Sequence, residues 1–416
     1  LAGKKKHIYV QNVIRHCGLF QRVNNMLISY KFRLYPTREQ EQKLQWTLNK
    51  CRYVYNFLLN ELNQQKIIDK AQLQEMIVDL KRIEPDLKDV HSKVLQYENY
   101  RLFSNLRSLS QTKKNGRKVG GLRFKGKNWF KTFSYNQSGF AIMQNQTRYD
   151  KLWLSKIGEI PFIMHRTIEG KIKQITIKHC PSGKWYASII AEIKEEIKPT
   201  ENTNKVGIDL GIMNYIYDSD GNHFDNPRHL DKSLEKLQKR QRRLSRKKKG
   251  SKNRIKQKIG VARIHEKITN QRDDFLHKLS RYYVDNYGFI AVEDLQIKNM
   301  VRNNHLAKAI SDASWSRFIQ MLCYKAERAG CTVVKVEPRR TTQICSGCGK
   351  EVHKELWDRT HKCNCGLEID RDYNSAINIL KRALLSERQE YTPVEIEPLL
   401  SDEQVRSKKQ EAPCES

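Results

Sequence analysis

The sequence lacks any apolar run long enough to cross a membrane. A membrane-spanning helix needs roughly 18 or more consecutive apolar residues, whereas the longest apolar patches here, such as residues 186–192, have the length of a strand. The lysines at positions 4–6 are not followed by the apolar core of a signal peptide. We therefore expect no membrane partner and no export, and we expect a cytoplasmic protein.

Acidic residues are too few to balance the basic ones. The 416 residues contain 78 Lys and Arg against 46 Asp and Glu, a formal charge of +32. Such a surplus disfavours a compact state unless a polyanion neutralises it. It indicates a nucleic-acid partner, although a solvated surface is the simpler interpretation of a single basic stretch.

The predicted nucleic-acid contacts lie in two stretches, the basic run 239–258 and the glycine-rich segment 113–131. They are Arg240, Arg242, Arg243, Arg246, Lys247, Lys248 and Lys249 in the first stretch, and Lys125, Trp129 and Phe130 in the second. In the second stretch the rings either stack on bases while the cations meet phosphates, or simply pack inward.

Cysteines do not form the even pattern of a disulfide framework, because six of the ten are scattered and four lie within 21 residues. The cluster consists of Cys345 and Cys348, followed by Cys363 and Cys365. Four thiolates in two short pairs are typical of a structural, tetrahedral Zn²⁺ site in a reducing compartment. Because a single residue separates the second pair, the nearby histidines His353 and His361 are alternative ligands for one position.

Periodicity predicts an α+β chain of several domains. A strand over 29–35 precedes a helix start with a capping box at Thr37 and Gln40, and a small helical lobe follows. Residues 133–193 look mainly β, so we expect a small barrel-like sheet that the first strand completes. A charged linker over 195–204 then leads to a second unit.

The second half has the element order of a ribonuclease-H-type domain, with a helical hairpin that carries the basic run. The predicted strands are 205–210, 214–218, 222–225, 289–292 and 331–336, and the predicted helices are 231–248, 253–286, 314–329 and one that begins at Asp372.

Three carboxylates stand at strand ends and at a helix start in this half. Metal-dependent cleavage of a phosphodiester needs several carboxylates that rigid elements hold together. Asp209 lies in an apolar strand that does not readily accept an unpaired charge, Glu293 closes the strand 289–292, and Asp372 begins the last helix. These three residues are the candidate catalytic ligands of Mg²⁺ or Mn²⁺.

Each of the three also has a simpler interpretation. Asp209 can be salt-bridged, Glu293 can cap the following turn, and either Asp370 or Asp372 can cap the last helix; considered alone, Asp372 is better explained as a cap. The strand 207–211 also resembles the opening strand of actin-like ATPases and sugar kinases. Against that alternative, the later half has no second glycine-rich phosphate loop, and neither a basic hairpin nor a cysteine cluster belongs to that architecture.

Five short motifs connect the chain to one known family. They read YKFRLYPT at 30–37, GIDLG at 207–211, VEDL at 292–295, QICSGCG at 343–349 and DRDYNSA at 370–376. On these motifs, the sequence resembles the TnpB family over about residues 28–385. These are transposon-encoded RNA-guided nucleases related to the type V CRISPR effectors and to eukaryotic Fanzor proteins.

The resemblance implies an RNA-guided DNA endonuclease of a transposable element, with a guide RNA and double-stranded target DNA as partners. It puts the acidic positions of a RuvC-like site on Asp209, Glu293 and Asp372, the last chosen over Asp370 because the family pattern is Asp, any residue, Asn, a small residue and Ala. It also implies association with the nucleoid in a prokaryote, or a nuclear location in a eukaryote.

The resemblance and the periodicity together predict a wedge-like β domain with a helical recognition lobe, then a RuvC-like domain with an inserted zinc ribbon. The expected segments are an N-terminal extension (1–27), the wedge-like domain (28–36 and 121–198), the helical lobe (37–120), the RuvC-like domain (199–340 and 370–386), the zinc ribbon (341–369) and a disordered tail (387–416).

Two other functions stay open at this level. The first is an RNA-guided DNA-binding regulator that does not cleave, against which the intact set of three acids argues. The second is a guide-independent DNA-binding accessory protein of transposition.

Overall fold

The computed structural model describes residues 23–64, 69–127, 129–145, 148–303, 306–355 and 357–390. Residues 1–22 of the expected extension and residues 391–416 of the expected tail lie outside this part of the chain. The described residues fall into two compact units: residues up to 197 with 233–269, and residues 198–232 with those from 270 onward. Of the helices in the described ranges, none has both the length and the apolarity that crossing a membrane requires.

A seven-stranded antiparallel sheet forms the centre of the first unit, in the order β2-β6-β7-β1-β5-β4-β3. Its strands are β1 (Val23–Leu34), β2 (Thr132–Asn136), β3 (Phe140–Met143), β4 (Asp150–Leu154), β5 (Gly158–Phe162), β6 (Lys171–His179) and β7 (Trp185–Glu196). The predicted first strand lies at its centre and pairs with β7 along its whole length. The two edge strands, β2 and β3, are separated by only three residues of chain, so the sheet nearly closes on itself.

Three helices accompany this sheet: α1 (Arg38–Gln64), α2 (Lys70–Ile83) and α3 (Ser92–Lys114). The predicted capping box begins α1, because Thr37 N donates to Gln40 Oε1 at 3.0 Å and Gln40 N donates to Thr37 Oγ1 at 3.3 Å. The apolar stripe of α1 is buried and shares one core with the sheet. Helix α2 ends before Pro85, whose ring cannot continue it, and a 3₁₀ turn over Pro85–Asp89 leads towards α3.

A five-stranded sheet forms the centre of the second unit, in the order β10-β9-β8-β11-β12. Its strands are β8 (Lys205–Leu210), β9 (Asn214–Asp218), β10 (His223–Asp225), β11 (Phe289–Glu293) and β12 (Thr332–Val336). Strands β8 to β10 form an antiparallel meander, whereas β8, β11 and β12 run parallel. The five strands agree with the predicted ranges to within one residue at each end.

The remaining elements are α4 (His229–Ser245), α5 (Lys252–Asn286), α6 (Ile297–Met300), α7 (Ala307–Ala313), α8 (Trp315–Ala329), the ribbon of β13 (Thr360–Lys362) and β14 (Glu368–Asp370), and α9 (Arg371–Glu390). All residues of β11 are buried, and their side chains alternate between two apolar cores. Ile290 and Val292 pack in a core with α8, whereas Phe289 and Ala291 pack in a core with α9. The five-stranded sheet is therefore covered on both faces, with α9 on one and α8 on the other.

Candidate active site and metal centre

Asp209 and Glu293 lie side by side near the carboxyl ends of two neighbouring parallel strands. Ile208 of β8 is the register partner of Val292 of β11, and the two acids are the next residues along their strands. Because side chains alternate along a strand, Asp209 points to the same face as Gly207, and Glu293 to the same face as Ala291. That is the face that α9 covers.

Gly207 brings α9 close to this face. A Cβ atom at position 207 would lie 2.2 Å from the carbonyl oxygen of Ala376 and 2.7 Å from the backbone nitrogen of Leu380. Any side chain would therefore push the helix away, whereas glycine lets the backbone of α9 rest on β8. A glycine inside a buried strand is the sequence signal for such an approach, and Gly207 is not among the residues predicted above to shape the site.

Asp372 stands in the first turn of α9, but it is not the cap of that helix. The Oδ1 atom of Asp370 accepts hydrogen bonds from the backbone nitrogens of Asp372 at 2.7 Å and Tyr373 at 3.2 Å. The cap is therefore Asp370, which corrects the interpretation of Asp372 taken alone. The Asp372 carboxylate lies 3.3 Å from Arg371 Nε and 4.0 Å from Arg359 Nη1.

The three carboxylates influence one another electrostatically. Burial, and then the charges of Glu293 and Asp372, raise the pKa of Asp209 well above its usual value, although Arg371 acts in the opposite direction. Burial also raises the pKa of Glu293, and a 2.6 Å hydrogen bond from Thr341 Oγ1 opposes that rise. Crowded carboxylates of this kind are hard oxygen donors that suit Mg²⁺ or Mn²⁺.

The separation of these carboxylates is wider than that of the cysteine ligands. In the described part of the chain, the four cysteines are the one group of three or more metal-binding side chains whose ligand atoms all lie within 4.8 Å of one another. At least one pair among Asp209, Glu293 and Asp372 is therefore farther apart. A divalent cation between these carboxylates would favour their ionised forms.

The four predicted cysteines converge in a geometry that suits tetrahedral zinc. Cys345 Sγ lies 3.7 Å from Cys365 Sγ, and Cys348 Sγ lies 3.6 Å from Cys363 Sγ. Zn–S bonds of about 2.3 Å in a tetrahedron give S···S distances of about 3.8 Å. Burial raises the pKa of Cys345, but hydrogen bonds from the backbone of Cys348 and from other groups outweigh it and lower the pKa to about 6. The pKa of Cys363 is raised instead: a backbone hydrogen bond of Cys365 lowers it, but burial and hydrogen bonds with the other thiols outweigh that, so Cys345 is the thiol that ionises most readily.

The two alternative histidine ligands are not part of this group. His361 is fully buried on β13, and the side chain of His353 is largely exposed, with Nε2 3.5 Å from Glu355 Oε1. The four atoms that come within 4.8 Å of one another are all sulfurs. The four sulfurs alone therefore supply as many ligands as a tetrahedral site takes.

Two asparagines, which the sequence analysis did not single out, join the cysteine segment to α9. Asn374 accepts from Ser346 N at 2.9 Å and donates to Ile344 O at 2.8 Å. Asn378 donates to the carbonyl oxygens of Ile344 at 2.6 Å and Thr341 at 2.9 Å. Both asparagines are buried, so these bonds fix the segment 341–346 against the helix that carries Asp372.

The predicted nucleic-acid residues divide into exposed and packed side chains. Most of the basic run is exposed, namely Arg242, Arg243, Arg246, Lys247, Lys248 and Lys249, whereas Arg240 is half-buried. Trp129 is 80% exposed and Lys125 is half-buried. Phe130 is only 7% exposed and packs against Tyr55 and the guanidinium of Arg101, so the interpretation of its ring as a surface for bases is wrong.

Three family models match the chain. The model described as "Probable transposase" matches residues 188–304, "Cas12f1-like, TNB domain" matches 315–379, and "Helix-turn-helix domain" matches 26–66. In the described part of the last range, the structure has strand β1 and the single long helix α1.

Curated relatives match most of the chain. The "Putative RNA-guided DNA endonuclease" of Streptomyces pristinaespiralis is 33% identical over 372 residues, which cover 86% of this chain and 89% of the relative. The "Putative RNA-guided DNA endonuclease InsQ" of Escherichia coli K12 is 30% identical over 381 residues, which cover 85% of this chain and 92% of the relative. Among solved structures, the protein of a Cas12f1-sgRNA-target DNA complex has a TM-score of 0.57 at 13% identity, covering 85% of this chain and 98% of that one, a likeness of fold alone.

Proposed function

The chain belongs to the TnpB family, and we propose that it is an RNA-guided DNA endonuclease of a transposable element that uses Asp209, Glu293 and Asp372 to cut DNA. The observation that carries the proposal is the position of the three acids. Two strand ends and the start of α9 direct them to one face of the sheet, and the charges of the other two raise the pKa of Asp209.

In this proposal the second unit is an RNase H-like, RuvC-type nuclease domain with a zinc ribbon over 341–369. The strand order β10-β9-β8-β11-β12, with three antiparallel strands followed by parallel ones, supports the first assignment. The sulfur geometry supports the second. The nearly closed sheet of the first unit is the wedge-like domain (28–36 and 121–198), and α1 to α3 form the recognition lobe (37–120).

The three carboxylates would hold Mg²⁺ or Mn²⁺, which supplies a polarised phosphate and an activated water for hydrolysis. Thr341 orients Glu293 by its hydrogen bond, so the carboxylate keeps one direction. Arg359 and Arg371, beside Asp372, are cations that can contact the phosphates of a bound strand. The exposed basic residues of the α4–α5 hairpin contact the backbone of the guide RNA or of the target DNA. Base pairing with the guide selects the sequence.

The test is guided cleavage by the full chain together with the RNA that purifies with it. Asp209→Ala should abolish cutting of a plasmid that carries the matching target and leave guide-dependent DNA binding nearly unchanged. Asp225→Ala, which removes an exposed carboxylate from β10 of the same sheet, is the matched control and should cut normally.

Three results would count against the proposal. Full cutting by Asp209→Ala would exclude the acidic site, and loss of RNA binding in that variant would mean that Asp209 has another role. Cutting or binding that RNase treatment leaves unchanged would favour a guide-independent DNA-binding protein.

A further inference from the structure

An aromatic row extends from the acidic site to the edge of the five-stranded sheet. Asp209 of β8 is the register partner of Tyr217 of β9, and Tyr217 is the register partner of His223 of β10. Paired residues on neighbouring antiparallel strands point to the same face. Since strands lie about 4.8 Å apart, Tyr217 stands one strand spacing from Asp209, and His223 stands two.

Tyr373 adds a third ring to this row. It follows Asp372 on α9, and its ring centroid lies 5.6 Å from that of Tyr217 at an interplanar angle of 30°. Tyr217 and His223 have the same centroid distance and angle. The three rings are therefore linked by two tilted contacts through Tyr217, and we call them the aromatic row.

The hydrophobic cores of this unit do not account for the aromatic row. Neither Tyr217 nor Tyr373 belongs to the apolar clusters on the two faces of the sheet, both are half-buried, and His223 is exposed. Gly221, with a φ of 89° in the turn between β9 and β10, lies close to the ring of Tyr373, because a Cβ atom there would be 3.9 Å from it. The row is thus a partly exposed set of rings beside the carboxylates.

We propose that the aromatic row is a stacking platform for the bases of a single nucleic-acid strand whose backbone passes the acidic site. Rings offer every base the same face, so such a platform holds a strand without selecting its sequence. Arg359 and Arg371, near Asp372, supply the positive charge that the backbone of the same strand requires. This inference rests on the proposed nuclease function and names the residues that would position its substrate.

A structural role for the same rings has to be separated from stacking. The contact between Tyr217 and Tyr373 joins β9 to the first turn of α9, so the rival explanation is that the rings only hold Asp372 in position. Loss of a base-stacking surface weakens substrate binding and raises KM. Displacement of Asp372 lowers kcat and leaves KM unchanged.

Photo-crosslinking tests the platform without any cleavage. The full chain carrying Asp209→Ala, with no Mg²⁺ or Mn²⁺ added, is mixed with single-stranded DNA that contains 5-iodouracil at one position, irradiated and digested for mass spectrometry. We expect adducts on Tyr217, His223 or Tyr373. We also expect Tyr217→Leu to remove them, and Tyr324→Leu, which changes an exposed tyrosine of α8, to leave them in place. Adducts confined to other residues would overturn the proposal.

Kinetics with the guide-bound chain give the second test. Tyr217→Leu and His223→Ala should raise KM for a single-stranded target on the order of 5- to 100-fold at nearly unchanged kcat, the range expected for losing one stacked base. Tyr217→Phe, which keeps the ring, should restore KM. A fall in kcat without a rise in KM would overturn the platform in favour of the structural role. Because His223 is exposed on an edge strand, its replacement tests the platform even if Tyr217→Leu does not fold.

The platform and the nuclease function can fail separately. If Asp209→Ala makes the adducts but the wild-type chain cuts no guided target, the platform stands and the proposed function fails. If the wild-type chain cuts normally but Asp209→Ala makes no adducts on the three rings, the function stands and the platform fails.

Discussion

Replacing Gly207 with alanine tests how the acidic site is assembled, because the position of Asp372 depends on how closely α9 approaches β8. The new methyl group would lie 2.2 Å from Ala376 O, 2.7 Å from Leu380 N and 2.9 Å from Leu380 Cβ. Two of these neighbours are backbone atoms, which cannot rotate away as the end of a flexible side chain can. The helix itself has to move.

The size of that movement follows from the shortest contact. An ordinary contact of a Cβ atom begins near 3.4 Å, so α9 has to withdraw by about 3.4 − 2.2 = 1.2 Å at Ala376. Overpacking of this kind typically costs about 1–3 kcal/mol of stability. A catalytic group displaced by about 1 Å can lose roughly 100-fold in rate. We therefore expect Gly207→Ala to cut about 100-fold more slowly and to unfold at a lower temperature.

Gly260→Ala is the matched control. Gly260 lies inside α5, and the nearest atom to its added Cβ would be Arg240 Nη1 at 3.7 Å, the end of a flexible side chain. The control should cut normally and gain about 0.5–1 kcal/mol, because alanine favours a helix interior. Thermal denaturation and the rate of guided cleavage measure both variants. Normal cutting and normal stability in Gly207→Ala would refute the dependence of the acidic site on this contact.

Three further variants probe the cap, the cysteine centre and a buried acid. Asp370→Ala removes the cap of α9, so it should cost about 1 kcal/mol of stability and leave partial cutting. Asp372→Ala should abolish cutting at little cost in stability. Equal loss of cutting in the two variants would contradict their separate roles. Cys348→Ser should remove the stoichiometric zinc that elemental analysis detects in the purified chain, and it should slow cutting; an unchanged zinc content would exclude the site. Burial raises the pKa of Glu98 to about 8 against the charge of Arg101, so folding keeps this carboxyl protonated. The stability that the protonated Glu98 gives the folded chain is fully present below the unfolded pKa near 4.5 and is lost as pH rises towards 8. The free energy of unfolding of Glu98→Gln should therefore rise relative to that of the wild type by up to about 1.4 kcal/mol per pH unit in this range. If urea denaturation gave the same difference in free energy of unfolding between the two proteins at every pH, the expectation would be contradicted.

The strands of the second unit could be predicted from sequence because burial determines their pattern. Strand β11 is covered on both faces, so all its residues are apolar up to Glu293, and such a run is recognisable without any knowledge of its partners. The capping box at Thr37 and Gln40 is likewise a local interaction, within four consecutive residues. Local hydrogen bonds and one-dimensional apolar patterns are what a sequence displays directly.

Contacts between distant segments could not be predicted in the same way. The ring of Phe130 packs on Arg101 and Tyr55, which lie 29 and 75 residues earlier in the chain, whereas its neighbour Trp129 faces solvent. Which of two adjacent aromatics turns inward depends on those partners.

The relation between the two candidate metal sites shows the same limit and has a mechanistic consequence. Cysteine spacing predicted that four sulfurs converge, but spacing alone could not show that the chain just before them reaches the acidic site. Thr341 donates to Glu293, and four residues later Cys345 begins the zinc ligands. Asn374 and Asn378 bind the intervening backbone to α9. Zinc bound at these cysteines would keep this segment folded and thereby keep Glu293 oriented and α9 in place, so we expect its loss to impair cutting.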